Sequence, residues 1–161
     1  MPNDNRVGTG RGNYYQNSGN RNQGNRGQQN QSETADQFYS RTKMNTSWIL
    51  VGANPDMVDF ADKSGQFMAN NGLTNTKIRG VYGEIKRIQM ATFEKEKSSF
   101  YLLKPKMAYA VGRDKDNQGL ILFQKIFDDC FSLVANEYQY KNFCNLIEAI
   151  LAYHKAYGGR D

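Results

Sequence analysis

Two cysteines, one histidine and three prolines in 161 residues leave little for a disulfide framework, a zinc site or a turn-rich scaffold. Cys130 and Cys144 lie fourteen positions apart with no CxxC pair, and His154 stands alone. That excludes the usual zinc spacings, and because both cysteines fall within apolar helical patterns they read as core thiols of a protein in a reducing cytosol. No run of eighteen apolar residues is present and the N-terminus is polar, so neither a membrane span nor a secretory signal is expected, and the chain reads as soluble and cytoplasmic. No Walker loop, nucleophile elbow or HExxH motif occurs, which leaves catalysis without a recognisable constellation. No segment alternates apolar and polar between turn signals as a half-buried strand would. The length suits one domain with its own core.

Aliphatic side chains are also scarce over residues 1–46, which are dominated by Gly, Asn, Gln and Arg. Such a composition buries too little apolar surface to offset the entropy of ordering, so the stretch reads as a disordered tail preceding a helical domain over 47–161. Its few Arg-Gly steps, at Arg11-Gly12 and Arg26-Gly27, are diluted by amides and suit a flexible linker better than an RNA-binding repeat.

From Trp48 onward apolar residues recur at helical spacing, and the expected fold is an all-α bundle of about five helices. The first begins at Pro55 after Asn54, carries Met57, Val58, Phe60, Ala61, Phe67 and Met68, and ends at Asn71-Gly72. Thr74 or Asn75 caps a second, with Ile78, Val81, Ile85, Ile88 and Thr92 as its seam. A third starts near Ser98 or Ser99, carries Leu102, Leu103, Met107, Ala110 and Val111, and stops at Gly112; Pro105 either kinks it or sits in its first turn. The fourth carries Leu120, Phe123, Phe127, Cys130 and Val134, and the fifth Phe143, Ile147, Ile150, His154 and Tyr157 before Gly158-Gly159.

The net charge of +5 is unevenly spread. Residues 77–113 hold nine basic side chains against three acidic ones, whereas residues 47–76 and 114–161 are each net negative. A positive field concentrated on two helices suits a polyanion. On the second helix Arg79 and Lys86 share a flank, with Gly83 between them. Gly80 and Gly83 weaken that helix by about 1 kcal/mol each against alanine, so they call for a close neighbour, either another helix or a nucleic-acid strand. On the third helix Lys106, Tyr109 and Arg113 follow at i, i+3 and i+7, cations flanking a ring that can stack on a base.

Other patterns carry less. Asp114-Lys-Asp-Asn-Gln-Gly119 imitates the start of a calcium loop, but Lys125 stands where the bidentate acid belongs, so it reads as a turn and a helix cap. Asp128 and Asp129 are adjacent and diverge by about 100° on a helix, which rules out a facing carboxylate pair. His154 shares a face with Ile147 and Ile150 and reads as a satisfied core histidine rather than a general base. No cofactor and no metal are expected.

Three stretches together carry a family likeness: Thr76–Ile85 (TKIRGVYGEI), Leu102–Arg113 (LLKPKMAYAVGR), and Phe143–Arg160 with EAILAYHKAYGG inside it. They resemble the small helical subunit of type III-A CRISPR effector complexes, the Csm-type small subunit. The resemblance implies a non-catalytic scaffold of antiviral defence that stacks in several copies and lies along a CRISPR guide RNA and its target RNA, beside the other subunits. It implies contact with RNA backbone at Lys77, Arg79, Lys104, Lys106 and Arg113, and on a weaker motif match at Lys155 and Arg160. Lys86, Arg87 and Tyr109 are added from charge and helical position alone. The competing expectation is an interaction scaffold whose basic helices meet acidic protein surfaces without touching RNA.

Overall fold

The computed structural model describes residues 32–160, which form seven helices and no strand. They are α1 (Ala35–Thr42), α2 (Ser47–Leu50), α3 (Pro55–Asn70), α4 (Asn75–Met90), α5 (Lys97–Gly112), α6 (Gln118–Phe131) and α7 (Glu137–Ala156). The all-α expectation holds, with seven helices in place of about five.

The two additional helices lie at the N-terminal end, and α1 sits inside the stretch read as a tail. The folded part therefore begins before residue 47. Thr34 and Gln37 form a reciprocal capping box that starts α1, and Ala35 and Phe38 are buried. Phe38 packs on Phe67 at 4.5 Å between ring centroids, while Lys125 reaches Asp36 at 2.5 Å and the Tyr39 hydroxyl donates to Asp129. Two apolar side chains with three polar anchors, the third being the Ala35 N–H that donates to the Gln118 side chain at 2.8 Å, hold a helix whose composition alone would not. The remainder of the expected tail, 1–31, lies outside the described residues.

Local chemistry sets the other starts. Asn54, Thr74, Asn117 and Asn136 each accept a backbone N–H of the following turn, at α3, α4, α6 and α7 respectively. Pro55 follows the first of these caps at the position where its missing donor is harmless. Pro105 is neither in the first turn of α5 nor at its end; it lies mid-helix on the exposed side.

The longest helix, α7, is the spine. It packs most extensively on α3 and also receives α2 and α4, while α6 bridges α1, α3 and α5. The α3–α7 crossing is close because Gly65 has no side chain: a Cβ there would lie 2.6 Å from the His154 nitrogen and 2.8 Å from the Ile150 oxygen. An aromatic cluster of Phe93, Phe100, Phe127, Phe131, Tyr140 and Phe143 fills the space between α5, α6 and α7. Tyr140 also donates its hydroxyl to the Ile85 carbonyl at 2.7 Å, and Glu137 accepts the Phe93 N–H at 2.5 Å. These two bonds fasten the α4–α5 hairpin to α7.

Of the expected core faces, Ile78, Val81, Ile85 and Ile88 are all buried on α4, and Leu103 and Met107 on α5. Val58, Leu102 and Tyr157 are exposed instead, and Thr92 lies beyond the end of α4. Each of these belonged to an apolar run wider than the face its neighbours cover. His154 is fully buried, but only half satisfied: Nε2 lies 3.0 Å from the Leu73 carbonyl oxygen, and Nδ1 has no partner.

Candidate nucleic-acid groove

The α4–α5 hairpin is held to the core along one side only, and a groove of about 840 Å³ runs along its outer surface between the two helices. On α5 the groove wall is a stripe at i, i+4, i+7 and i+11, formed by Leu102, Lys106, Tyr109 and Arg113. This spacing keeps four side chains on one flank of a helix while Leu103 and Met107 turn into the core. On α4 the wall is Thr76, Lys77, Gly80 and Val81, and Asp114 closes the end where α5 stops.

The structure therefore brings together four of the ten candidate residues, Lys77, Lys106, Tyr109 and Arg113. The Arg113 guanidinium lies 5.7 Å from the centre of the Tyr109 ring, which is itself 69% exposed. Lys77 pairs with Asp114, whose carboxyl is held below its ordinary range first by that lysine and then by the Asn117 amide. Lys106 sits 3.8 Å from Glu84, at the outer limit of an ion pair, because Glu84 is already engaged by Arg87 at 2.8 Å.

The remaining candidates are dispersed. Arg87 bridges Glu84 and Glu96, both at 2.8 Å, and so acts as a brace between α4 and the start of α5. Lys86 is drawn to the α7 side, where it meets Glu148 at 2.8 Å and Gln89 at 2.6 Å. Lys104 faces α6, its ammonium 5.5 Å from the Phe131 ring centre. Arg79 is exposed on α4 outside the groove wall. Lys155 is exposed near the end of α7, and the Arg160 carbonyl accepts the Asn75 N–H at 2.9 Å, which brings that residue to the first turn of α4. The flank expected from Arg79 and Lys86 is thus occupied at one end by an intramolecular pair.

Neither glycine of α4 answers to a neighbouring helix. A Cβ at Gly80 or at Gly83 would meet nothing within 4 Å, and Gly80 lies in the groove wall itself. Asp114–Gly119, the imitation calcium loop, is a turn running into α6, in which Asn117 caps that helix through the Leu120 N–H at 2.9 Å and donates to the Gly72 carbonyl at 2.7 Å.

Thr76, Leu102 and Asp114 belong to the groove and were not among the RNA contacts expected from sequence, whereas Gly80 was expected to admit a close neighbour. Leu102 was legible in principle, since it extends the Lys106–Arg113 spacing by one more helical turn; the role of Asp114 as a tether for Lys77 depends on a contact across 37 positions.

A helical bundle with an outward groove rimmed by cations defines a class of small helical binding module. Residues 53–160 match the family model described as Csm2 Type III-A, and the chain belongs to that family. It is accordingly a small subunit of a type III-A CRISPR effector complex, with the other subunits of that complex as partners. The match leaves out α1 and α2. No curated protein and no solved structure matches the chain. Among the described residues, no helix is long and apolar enough to cross a membrane.

Proposed function

We propose that this subunit is non-catalytic and binds the backbone of the guide RNA and target RNA without reading sequence, stacking with copies of itself in the cytoplasmic complex that carries out antiviral defence. Base pairing between guide and target supplies the sequence information, so the protein needs only charge and shape. One observation carries this reading: three cations and an exposed tyrosine line a single open groove on the side of the hairpin that the core leaves uncovered. Lys106 and Arg113 are the cations placed to meet phosphates, and Lys77 stands beside them in the groove with its charge shared with Asp114. Arg87 and Lys86 serve to brace the hairpin, because their charge is spent on Glu84, Glu96 and Glu148.

The test is RNA retention by the full chain in which Lys77, Lys106 and Arg113 are all changed to glutamate, followed across several salt concentrations with far-UV helicity as the control for folding. The reading expects weaker binding and a slope of log affinity against log salt flattened by roughly 0.7 per lost contact on single-stranded RNA. Unchanged binding would favour a protein-contacting scaffold, which would then stay at full stoichiometry in an effector complex stripped of RNA with nuclease.

A further inference from the structure

A track for phosphates alone needs cations and has no use for apolar surface, yet the groove holds both. Between Lys106 and Arg113 stands Tyr109, and one turn before Lys106 stands Leu102, 57% exposed. Val81, Pro105 and Ala110 continue that apolar wall. On an A-form duplex the outward groups are phosphates and 2′-hydroxyls, while the base faces are stacked inside the helix, so a duplex would leave this wall uncovered. An unpaired nucleotide presents a flat apolar face between two phosphates, which is the same alternation as ring, hydrocarbon and cation along the groove. The volume, about 840 Å³, lies in the range of sites that enclose small organic groups, well beyond what a phosphate contact requires. Gly80 adds depth, because nothing on α4 projects into the groove at that point.

We propose that the α4–α5 groove takes an unpaired nucleotide of single-stranded RNA, its base stacked on Tyr109 against the Leu102 side chain and its flanking phosphates on Lys106 and Arg113. The proposal rests on the reading of this groove as the RNA surface and narrows it from any RNA backbone to an unstacked segment. Tyr109 is the stacking platform, with the neighbouring guanidinium of Arg113 sharing in the contact as a second flat cationic surface. Lys77, tethered to Asp114, serves the next phosphate along the strand.

The experiment measures equilibrium binding of the full chain to a short unpaired RNA and to the same RNA carrying abasic positions. The proteins compared are the unchanged chain, Tyr109→Ala, Tyr109→Phe, and a charge control carrying Lys106→Gln with Arg113→Gln. Tyr109→Ala is expected to weaken binding to the intact RNA by about fivefold to a hundredfold with no change in salt slope, Tyr109→Phe to retain it, and the abasic RNA to bind the unchanged chain and Tyr109→Ala alike. Equal binding by Tyr109→Ala and the unchanged chain, with loss in the charge control, would overturn base stacking and leave the phosphate reading standing. No loss in any variant would overturn both. Loss of Tyr109→Ala from the assembled complex with RNA binding untouched would assign the apolar wall to a protein partner and overturn the proposal as well.

Discussion

The same residue type does opposite work on the two sides of this bundle. Around α3, α6 and α7, three glycines stand where something else occupies the space: a Cβ at Gly65 would lie 2.6 Å from backbone, one at Gly119 2.8 Å from the Met68 oxygen, and one at Gly159 2.2 Å from the His154 ring. On α4 and at the end of α5, Gly80, Gly83 and Gly112 face open space. The charges divide in the same way. Lys86 and Arg87, on the parts of α4 that meet other elements, are tied to carboxylates, whereas Lys106 and Arg113 line the groove with at most a loose acidic neighbour. One side of the molecule has been closed by packing and the other kept open, and the open side is where a ligand is to be sought.

The contrast can be broken most directly at Gly65. Alanine there must push α3 away from α7 against backbone atoms at 2.6 and 2.8 Å, and a loss of about 3 kcal/mol in urea unfolding is expected. Gly119→Ala meets backbone as well and should follow closely. A loss smaller than about 1 kcal/mol at Gly65 would mean that the α3–α7 contact is slack. Next comes Tyr140→Phe, which removes the hydrogen bond fastening α4 to α7 and should cost about 1 kcal/mol in the same measurement. Gly83→Ala has the opposite sign. With no contact to violate and a helical backbone to favour, it should raise stability by about 0.5–1 kcal/mol.

The smallest effect concerns pH. Arg87, with help from the Ser99 hydroxyl, holds the Glu96 carboxyl at about 2 instead of its ordinary 4.5. Because the folded value is the lower one, the stabilisation is present above the ordinary value and is lost as pH falls from there toward about 2. The difference in Tm between the unchanged chain and Glu96→Gln should therefore shrink in melts run near pH 3 relative to neutral pH. A constant difference would show that the Arg87 brace contributes nothing through charge, as exposed pairs often do not.

How far sequence reasoning reached follows the same division. The α4 seam was legible because four β-branched residues recur at steps of three and four, with only Met90, in the last turn, apolar on the opposite flank. The Lys106–Tyr109–Arg113 spacing was legible for the same reason, being local to one helix. Helix α1 was overlooked because its apolar content is two side chains in a polar stretch, although Thr34 and Gln37 spelled out its capping box. The fate of Lys86 was not accessible, since Glu148 lies 62 positions away on another helix; that of Arg87 was half accessible, through Glu84 one turn before it. Charge density locates a positive region, but which of its members are spent internally is decided by tertiary pairing.

The most direct test of that distinction uses two charge-matched pairs of substitutions in the full chain, Lys106→Gln with Arg113→Gln and Lys86→Gln with Arg87→Gln. Each removes two positive charges from the same hairpin. Binding to single-stranded RNA, titrated against salt, should weaken and lose roughly 1.4 from its slope in the first pair, while the second retains the slope of the unchanged chain. Equal losses in the two pairs would mean that the RNA responds to the overall field of the hairpin and that the groove has no special part in holding it.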